Sequence, residues 1–149
     1  MEFSPDQLRK ALVQTGSLIR FDPGTIFGNT NAHFGVVVNA DPHKQKAIVV
    51  ICASSKVEKL RRFASLRGLP SATIVCISGG THSHFGQDTA FNCNNPEVVP
   101  FDVLETWQNQ NLVELVKRNN LIDDNLLDEI RAGLMISDLV EDAIKDMLT

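Results

Sequence analysis

The order of hydrophobic and polar residues divides the chain of 149 residues into three stretches. The first predicts a short helix, because Ser4 to Gln7 has the composition of a capped helix start and an apolar stripe follows before Gly16. From Ser17 to about Phe101, β-branched runs alternate with Gly, Pro, Asn and Asp, which is typical of short strands joined by turns. A helical period returns after Phe101. The pattern therefore predicts a β-rich core between helical ends.

Six short strands are predicted in the middle stretch, and they favour a small barrel. The runs Val36 to Val38 and Ile48 to Ile51 are apolar on both faces, which fits strands covered by a helix on one side and a barrel interior on the other. The sequence Asp41 to Lys44 between these two strands predicts a hairpin turn and hence an antiparallel pair. The predicted strands are Ser17 to Phe21, His33 to Asn39, Lys46 to Ala53, Ala72 to Ser78, Thr89 to Asn92 and Val98 to Phe101.

Helices are predicted for the remainder of the chain. Asp123 or Asp124 caps an amphipathic helix from Asn125 to Ile136, and a further apolar stripe predicts a helix from Ser137 to Leu148. Two shorter helices are predicted before them, at Val103 to Gln108 and Leu112 to Lys117. With 43% hydrophobic and 21% charged residues, the chain has the profile of one globular domain. The predicted fold is mainly β with α, with a barrel core at residues 16–101 and a helical segment at 102–149.

Charge is distributed unevenly along the sequence. The 14 Lys and Arg against 18 Asp and Glu give a net charge of -4, which excludes a uniformly basic surface for nucleic acid. The segment from Ser54 to Leu69 nevertheless carries five basic residues and one acid, whereas the chain from Leu121 onward carries eight acids and two bases. The basic segment is therefore predicted to be either a solvated helix face or a phosphate-binding patch.

Neither a membrane segment nor a disulfide framework is predicted. No apolar run approaches the ~18 to 20 residues that a span requires, and the first residues lack a hydrophobic signal core, so a cytoplasmic protein is expected. The three cysteines, Cys52, Cys76 and Cys93, are odd in number and lie in apolar or strand-like settings. This placement favours buried reduced thiols.

Three of the four histidines are candidates for chemistry. His33 begins the strongest predicted strand, and His82 and His84 lie in a polar loop between Ser78 and Asp88. Two imidazoles facing each other across a groove are suited to metal-free RNA cleavage, because one removes the proton of a ribose 2′-OH and the other protonates the leaving 5′ oxygen. Histidine suits both roles, since both of its protonation states exist near neutral pH.

Other interpretations of these histidines remain open. Each one is also compatible with an ordinary edge-strand or solvated loop residue. His82 and His84 form an H-x-H pair with Cys76 and Cys93 on flanking strands, which offers a metal site, although zinc ligands are usually more tightly paired in sequence.

The end of the third predicted strand carries groups that suit phosphate. Ser54, Ser55 and Lys56 provide two hydroxyls and an ammonium group, although either serine can instead cap the helix that follows. Arg61 and Arg62 lie further along the same basic segment and are predicted to guide an RNA backbone. The chain has no G-x-S-x-G, P-loop or G-x-G-x-x-G motif, so the common hydrolase and nucleotide sites are excluded.

The order of these elements resembles the MazF/PemK-like toxins of toxin-antitoxin modules. Gly16 to Phe21 is similar to the family's opening strand, His33 to Val38 to its second strand, and Ala47 to Ser55 to the strand that ends in Thr-Ser. Thr89 to Pro100 is similar to the later pair of strands. The pattern of Leu121, Leu126, Leu127, Ile130, Gly133 and Leu134 is similar to the terminal helix. The resemblance covers most of residues 16 to 135 and rests on pattern and order.

The resemblance implies an SH3-like barrel that cleaves RNA, is neutralised by an antitoxin protein and forms a homodimer whose groove spans the subunit interface. It places His33 where common members have Arg, and Ser54 or Ser55 at the Thr-Ser position. His84 with Phe85 is similar to a His-Phe element of a divergent branch. Replacing Arg by His moves the chemistry towards proton transfer.

The sequence thus predicts a metal-independent endoribonuclease that needs no cofactor. Its expected catalytic residues are His33, His84 and Ser55, with His84 preferred over His82 because Phe85 can anchor the loop. The expected substrate-binding residues are Ser54, Lys56, Arg61, Arg62 and His82. The alternative is a non-catalytic barrel that binds nucleic acid or peptide and dimerises through its helical tail. A third possibility, part of a larger complex, requires a broad apolar face on the C-terminal helices.

Overall fold

A computed structural model describes residues 13–28, 31–116 and 118–149 of the chain. The predicted helix that begins at Ser4 lies outside these residues. The described part forms seven strands, β1 to β7, which are Leu18–Phe21, His33–Val37, Ala47–Ser54, Ile74–Ile77, Thr89–Asn92, Glu97–Pro100 and Val113–Leu115. It also forms five helices, α1 to α5, which are Pro42–Gln45, Val57–Leu66, Phe101–Asn109, Asp124–Ile136 and Asp142–Asp146. Single 3-10 turns occur at Ile26–Gly28 and Ser71–Thr73.

All seven strands belong to one antiparallel sheet in which β3 is the central strand. The order is β4-β5-β3-β2-β1-β7, and β6 also pairs with β3. One edge of β3 pairs with β2, while the other edge pairs with β6 at Ala47 to Val50 and with β5 at Ala53 and Ser54. Within the described residues β4 and β7 end the sheet, so it is not closed into the predicted barrel. The fold is a mixed α/β fold built on an antiparallel sheet.

The connection between β2 and β3 confirms that these strands are antiparallel neighbours. The predicted turn contains the single helical turn α1, whose start is capped by Asp41 through a hydrogen bond from the Lys44 N–H at 3.2 Å. Asn39 is fully buried beneath it. Its amide donates to the Ala47 carbonyl at 2.8 Å and accepts from the Val49 N–H at 2.9 Å. These bonds fix the register at the start of β3.

One of the predicted helices is wrong, and another is shorter than predicted. Leu112 to Lys117 was expected to be helical, but Val113–Leu115 forms β7, which pairs antiparallel with β1. A three-residue strand has too few positions to show a period, and its pairing depends on the free edge of β1. Ser137 to Leu148 contains only the short α5, because the buried Ser137 hydroxyl accepts from the Leu139 N–H at 3.2 Å and starts a turn.

The other helices agree with the sequence patterns. Asp123 caps α4 by accepting from the Leu126 N–H at 2.8 Å. The basic segment forms α2, and the predicted helix at Val103 to Gln108 extends over the whole of α3. Each of these segments is long enough to show a helical period.

The strands β2 and β3 are buried on both faces, as predicted, but each face is covered by a helix. On one face Val36 and Ile51 pack with Ile130 and Leu134 of α4. On the other face Val37, Ile48 and Val50 pack in a second core that includes Leu104 of α3. The sheet is therefore the middle layer between α3 and α4, and no barrel interior is needed to explain the apolar runs.

A buried polar chain attaches the end of α4 to the strands β4 and β5. Ser137 donates to the Asn94 side chain at 2.6 Å, and Asn94 donates to the Thr73 hydroxyl at 2.8 Å. Thr73 in turn donates to the Pro70 carbonyl at 2.7 Å. Every member has a partner, so the chain stabilises the contact without leaving a buried polar group unpaired.

Gly35 provides a test of how tightly the sheet packs. A Cβ atom at this position in β2 would lie 2.9 Å from Cε2 of Phe21 and would overlap Cγ1 of Val50, both in a fully buried core. Gly35→Ala should lower the free energy of unfolding by about 1–3 kcal/mol, measured by urea unfolding, because the added methyl group overpacks a core in which both neighbours are fully buried. Gly86→Ala is the matched control, since nothing lies within 4 Å of its Cβ position. Equal stability of the two variants would contradict this packing.

The cysteines are free thiols, of which Cys93 is buried and Cys52 and Cys76 are half-buried. Burial raises the pKa of the Cys93 thiol to about 12. Burial, together with the charge of Glu97, raises the pKa of the Cys52 thiol to about 11. The chain therefore keeps both thiol protons when folded at pH values where the unfolded chain loses them.

This difference predicts a loss of stability at alkaline pH. Unfolded thiols titrate near their ordinary pKa of 9.0, so the stabilisation is complete below that pH and is lost as the pH rises towards 11 and 12. The free energy of unfolding, followed by urea titration at several pH values, should fall across this range. Cys93→Ala should fall less steeply than the parent protein, whereas identical slopes would argue against a buried thiol at this position.

Candidate active site

A pocket of about 290 Å³ lies where β2 begins and β3 ends. His33, the first residue of β2, and Ser54, the last residue of β3, both line it, and continuing the strand register sets them opposite each other. Ser55 and His84 also line it, together with the polar side chains of Gln87 and Thr89. The structure thus brings together half of the residues that the sequence singled out, from three separate parts of the chain. We call this the histidine pocket.

His84 is positioned by its own loop, which connects β4 to β5. Its neighbour Phe85 is 5% exposed and packs against Phe34 and Phe91, with ring centroids 5.9 Å away in each case, so it anchors the loop. Nε2 of His84 lies 2.6 Å from the carbonyl oxygen of Arg118. A carbonyl only accepts hydrogen bonds, so Nε2 carries a proton and Nδ1 is the nitrogen left for proton exchange.

His82 supports His84 and does not line the histidine pocket. The two rings stack with centroids 5.4 Å apart. His82 Nε2 lies 3.1 Å from the Leu121 carbonyl, and its Nδ1 accepts from the backbone N–H of His84 at 3.2 Å. Because both ring nitrogens of His82 are engaged, the geometry favours a positioning role over the predicted contact with substrate.

Residues 118–121 form hydrogen bonds with the loop between β4 and β5, and we call this set of hydrogen bonds the clasp. Besides the carbonyls of Arg118 and Leu121, these residues contribute the Asn119 amide, which donates to the Ser83 hydroxyl at 2.9 Å. Asn119 has a left-handed backbone with φ of 47°, a conformation that Asn tolerates better than most residues. A backbone carbonyl has no sequence signature, so the clasp was missed.

His33 differs from the other histidines because its ring has no hydrogen-bond partner among the described residues. It is partly exposed and pairs with Phe21 in the register of β1 and β2. Within the described part, no hydrogen bond or ring contact joins it to His84, although both rings line the histidine pocket. The arrangement leaves both rings able to act on a group bound between them.

Of the two serines at the end of β3, Ser55 is the one whose hydroxyl has no hydrogen-bond partner among the described residues. Ser54 accepts from the Lys56 N–H at 3.1 Å, but the N-cap of α2 is Lys56 and no side chain caps the helix, so the prediction that one of the two serines caps it is wrong. Ser55 and Lys56 are exposed just before the first residue of this ten-residue helix. The helix start adds partial positive charge and unpaired N–H groups on the same side.

Arg61 and Arg62, which the sequence predicts to contact an RNA backbone, lie outside the histidine pocket. Arg61 donates to Glu58 at 2.9 Å and lines two neighbouring cavities together with Cys76. This hydrogen bond is the main reason that the pKa of the Arg61 guanidinium is raised above its usual value. Arg62 is exposed on α2. Any contact of these residues with RNA would thus be to a strand that extends beyond the pocket.

The metal interpretation of the H-x-H pair has no ligand set in the described part of the chain, where no group of three or more His, Cys, Asp or Glu side chains could hold an ion. The buried Cys93 thiol donates instead to the Ile130 carbonyl at 3.4 Å.

No helix within the described ranges is long and apolar enough to cross a membrane.

The hydrogen bonds of the histidines predict different rates of proton exchange. The ring N–H groups of His82 and His84 should exchange slowly with water and give resolved signals in ¹H–¹⁵N spectra, because each donates to a carbonyl. His33, which has no such partner among the described residues, should give no resolved ring N–H signal. Single histidine substitutions assign the signals. Equally fast exchange at all three rings would show that the clasp does not form in solution.

No protein-family model matches the chain, and no curated protein has a detectably similar sequence.

Proposed function

We propose that the protein is a metal-independent endoribonuclease similar to the MazF/PemK-like toxins. The observation that carries the proposal is that His33, His84 and Ser55 line one pocket. The open sheet around β3 is the element that would correspond to the family's SH3-like barrel. The antitoxin partner and the homodimer follow from the resemblance alone.

The proposed reaction uses the two histidines as an acid and base pair. One neutral imidazole removes the proton of a ribose 2′-OH, the 2′ oxygen forms a bond to phosphorus, and the bond from phosphorus to the 5′ oxygen breaks. The other imidazole, in its protonated form, delivers a proton to that leaving oxygen. The products are a 2′,3′-cyclic phosphate and a 5′-OH end. On His84, Nδ1 exchanges the proton, because Nε2 remains bonded to the Arg118 carbonyl.

Charge on the phosphate would be stabilised from the side of α2. Ser55 offers a hydroxyl at the pocket, and Lys56 lies beside it before the first turn of the helix. Lys59 and Arg62 follow at intervals of three residues, which places exposed cations along one side of the helix. Glu58 already pairs with Arg61, so this arginine contributes less. The resulting cationic path leads away from the pocket and suits an RNA backbone.

Cleavage of a long RNA in the presence of EDTA tests the proposal. His33→Ala and His84→Ala should each lower the rate by about 10²- to 10⁴-fold, the usual contribution of a general acid or base. His43→Ala is the matched control. Its ring lies outside the pocket, 2.6 Å from the Val13 carbonyl and 5.5 Å from the Phe101 ring centroid, so cleavage should be unchanged.

Three outcomes would contradict the proposal. One is an inactive parent protein, and another is equal cleavage by the parent and both pocket variants. The third is activity that EDTA abolishes and a metal ion restores. RNA binding without cleavage by the parent would favour the alternative, a non-catalytic binding module.

A further inference from the structure

A second pocket, of about 360 Å³, adjoins the histidine pocket. The two share Phe34 and His84, whose ring centroids are 5.7 Å apart and form the wall between them. The far side of the second pocket comes from β1, β7 and the residues after β7. We call it the flanking pocket, and it is lined by Arg20, Phe34, His84, Glu114, Val116 and Arg118.

The flanking pocket combines three kinds of group. Phe34 and Val116 give it an apolar wall, of the kind on which bases stack. Arg118 is exposed and has no ion pair among the described residues, whereas Arg20 is already bonded to Asp22 at 2.8 Å. The exposed guanidinium of Arg118 therefore suits a phosphate. An apolar wall with a cation at its side matches one nucleotide in both size and chemistry.

Glu114 adds a carboxylate that most phosphate sites would avoid. It lies in the middle of β7, exposed, and has no ion pair with a described residue. A carboxylate only accepts hydrogen bonds, so its natural partner on a base is an exocyclic amino group. Cytosine, adenine and guanine carry such a group. Uracil has a carbonyl oxygen in place of the amino group of cytosine, and two acceptors repel each other.

We propose that the flanking pocket is a nucleotide subsite in which the base packs on Phe34, Arg118 holds a phosphate, and Glu114 selects a base with an amino group. The inference rests on the proposed function, since it assigns the neighbour of the nucleotide in the histidine pocket. An RNA strand crossing the wall formed by Phe34 and His84 would place one nucleotide in each pocket. The enzyme would then disfavour uridine at the flanking position.

Binding of oligonucleotides that cannot be cleaved by this chemistry tests the subsite separately from catalysis. The probes are fluorescent ten-residue oligomers of cytidine and of uridine in which fluorine replaces every 2′-OH, and fluorescence anisotropy gives Kd. The parent protein should bind the cytidine oligomer about tenfold more tightly. Glu114→Gln should bring this ratio close to one, because an amide both donates and accepts. Glu129→Gln, at an exposed position of α4, should leave the ratio unchanged.

Arg118→Ala tests the phosphate contact while keeping the backbone carbonyl that holds His84. It should weaken binding of both oligomers about fivefold and lower the slope of log Kd against log salt by about 0.7, the value for one contact to a single strand. Lys44→Ala, an exposed position on α1, should change neither quantity.

The outcomes separate the subsite from the proposed function. Equal binding of both oligomers by the parent, no binding of either, or a ratio unaffected by Glu114→Gln would overturn the subsite, whatever the cleavage assay shows. Selective binding that depends on Glu114 and Arg118, combined with no cleavage in EDTA, would retain the subsite and reject the nuclease.

Discussion

The divided edge of β3 is the constraint on which the rest of the structure depends. This strand of eight residues pairs with β2 along one edge, but its other edge is shared between β6 and β5. Within β3, only Ala53 and Ser54 pair with β5, and β5 pairs in turn with β4. The β4–β5 unit is therefore attached to the very end of β3. The loop between β4 and β5 therefore returns beside the start of β2. This pairing brings His84 and His33 to the same pocket, although the two rings do not touch each other.

The same strand is held in place by two cores. Alternate residues of β3 contribute to the core under α4 and to the core under α3. The polar chain from Ser137 to Thr73 then ties α4 to the residues that precede β4. The strand ends that carry His33 and Ser54 are thus parts of this packed sheet, whereas Ser55 follows β3 and His84 lies in the loop between β4 and β5. The buried Phe85 and the clasp of residues 118–121 hold the loop that carries His84 in place.

Local patterns predicted most of the sheet, whereas features set by tertiary contacts were missed. The six predicted strands are present because β-branched runs and turn residues mark them without reference to the remainder of the chain. β7 exists only because β1 offers it an edge. The helix predicted from Ser137 starts later, because the Ser137 hydroxyl accepts from the Leu139 N–H and donates to Asn94, which is distant in sequence. Within the site, residue type identified His33, Ser55 and His84. The different roles of His82 and His84 depend on carbonyls that no sequence pattern reveals.

The charge of the whole chain has little bearing on the site. Electrostatic interactions between exposed groups are screened within about 8 Å at physiological ionic strength, so a ligand in the histidine pocket responds mainly to its immediate surroundings. Those surroundings include Ser55, Lys56 and the start of α2, while the acids of α4 and α5 belong to other elements. The net charge of -4 is thus an average over surfaces of opposite sign. In the flanking pocket opposite charges share one cavity, since Arg118 and Glu114 both line it. Such a pair favours a ligand that carries a negative charge and also donates a hydrogen bond. A nucleotide whose base has an amino group meets both conditions, whereas a simple anion meets only the first.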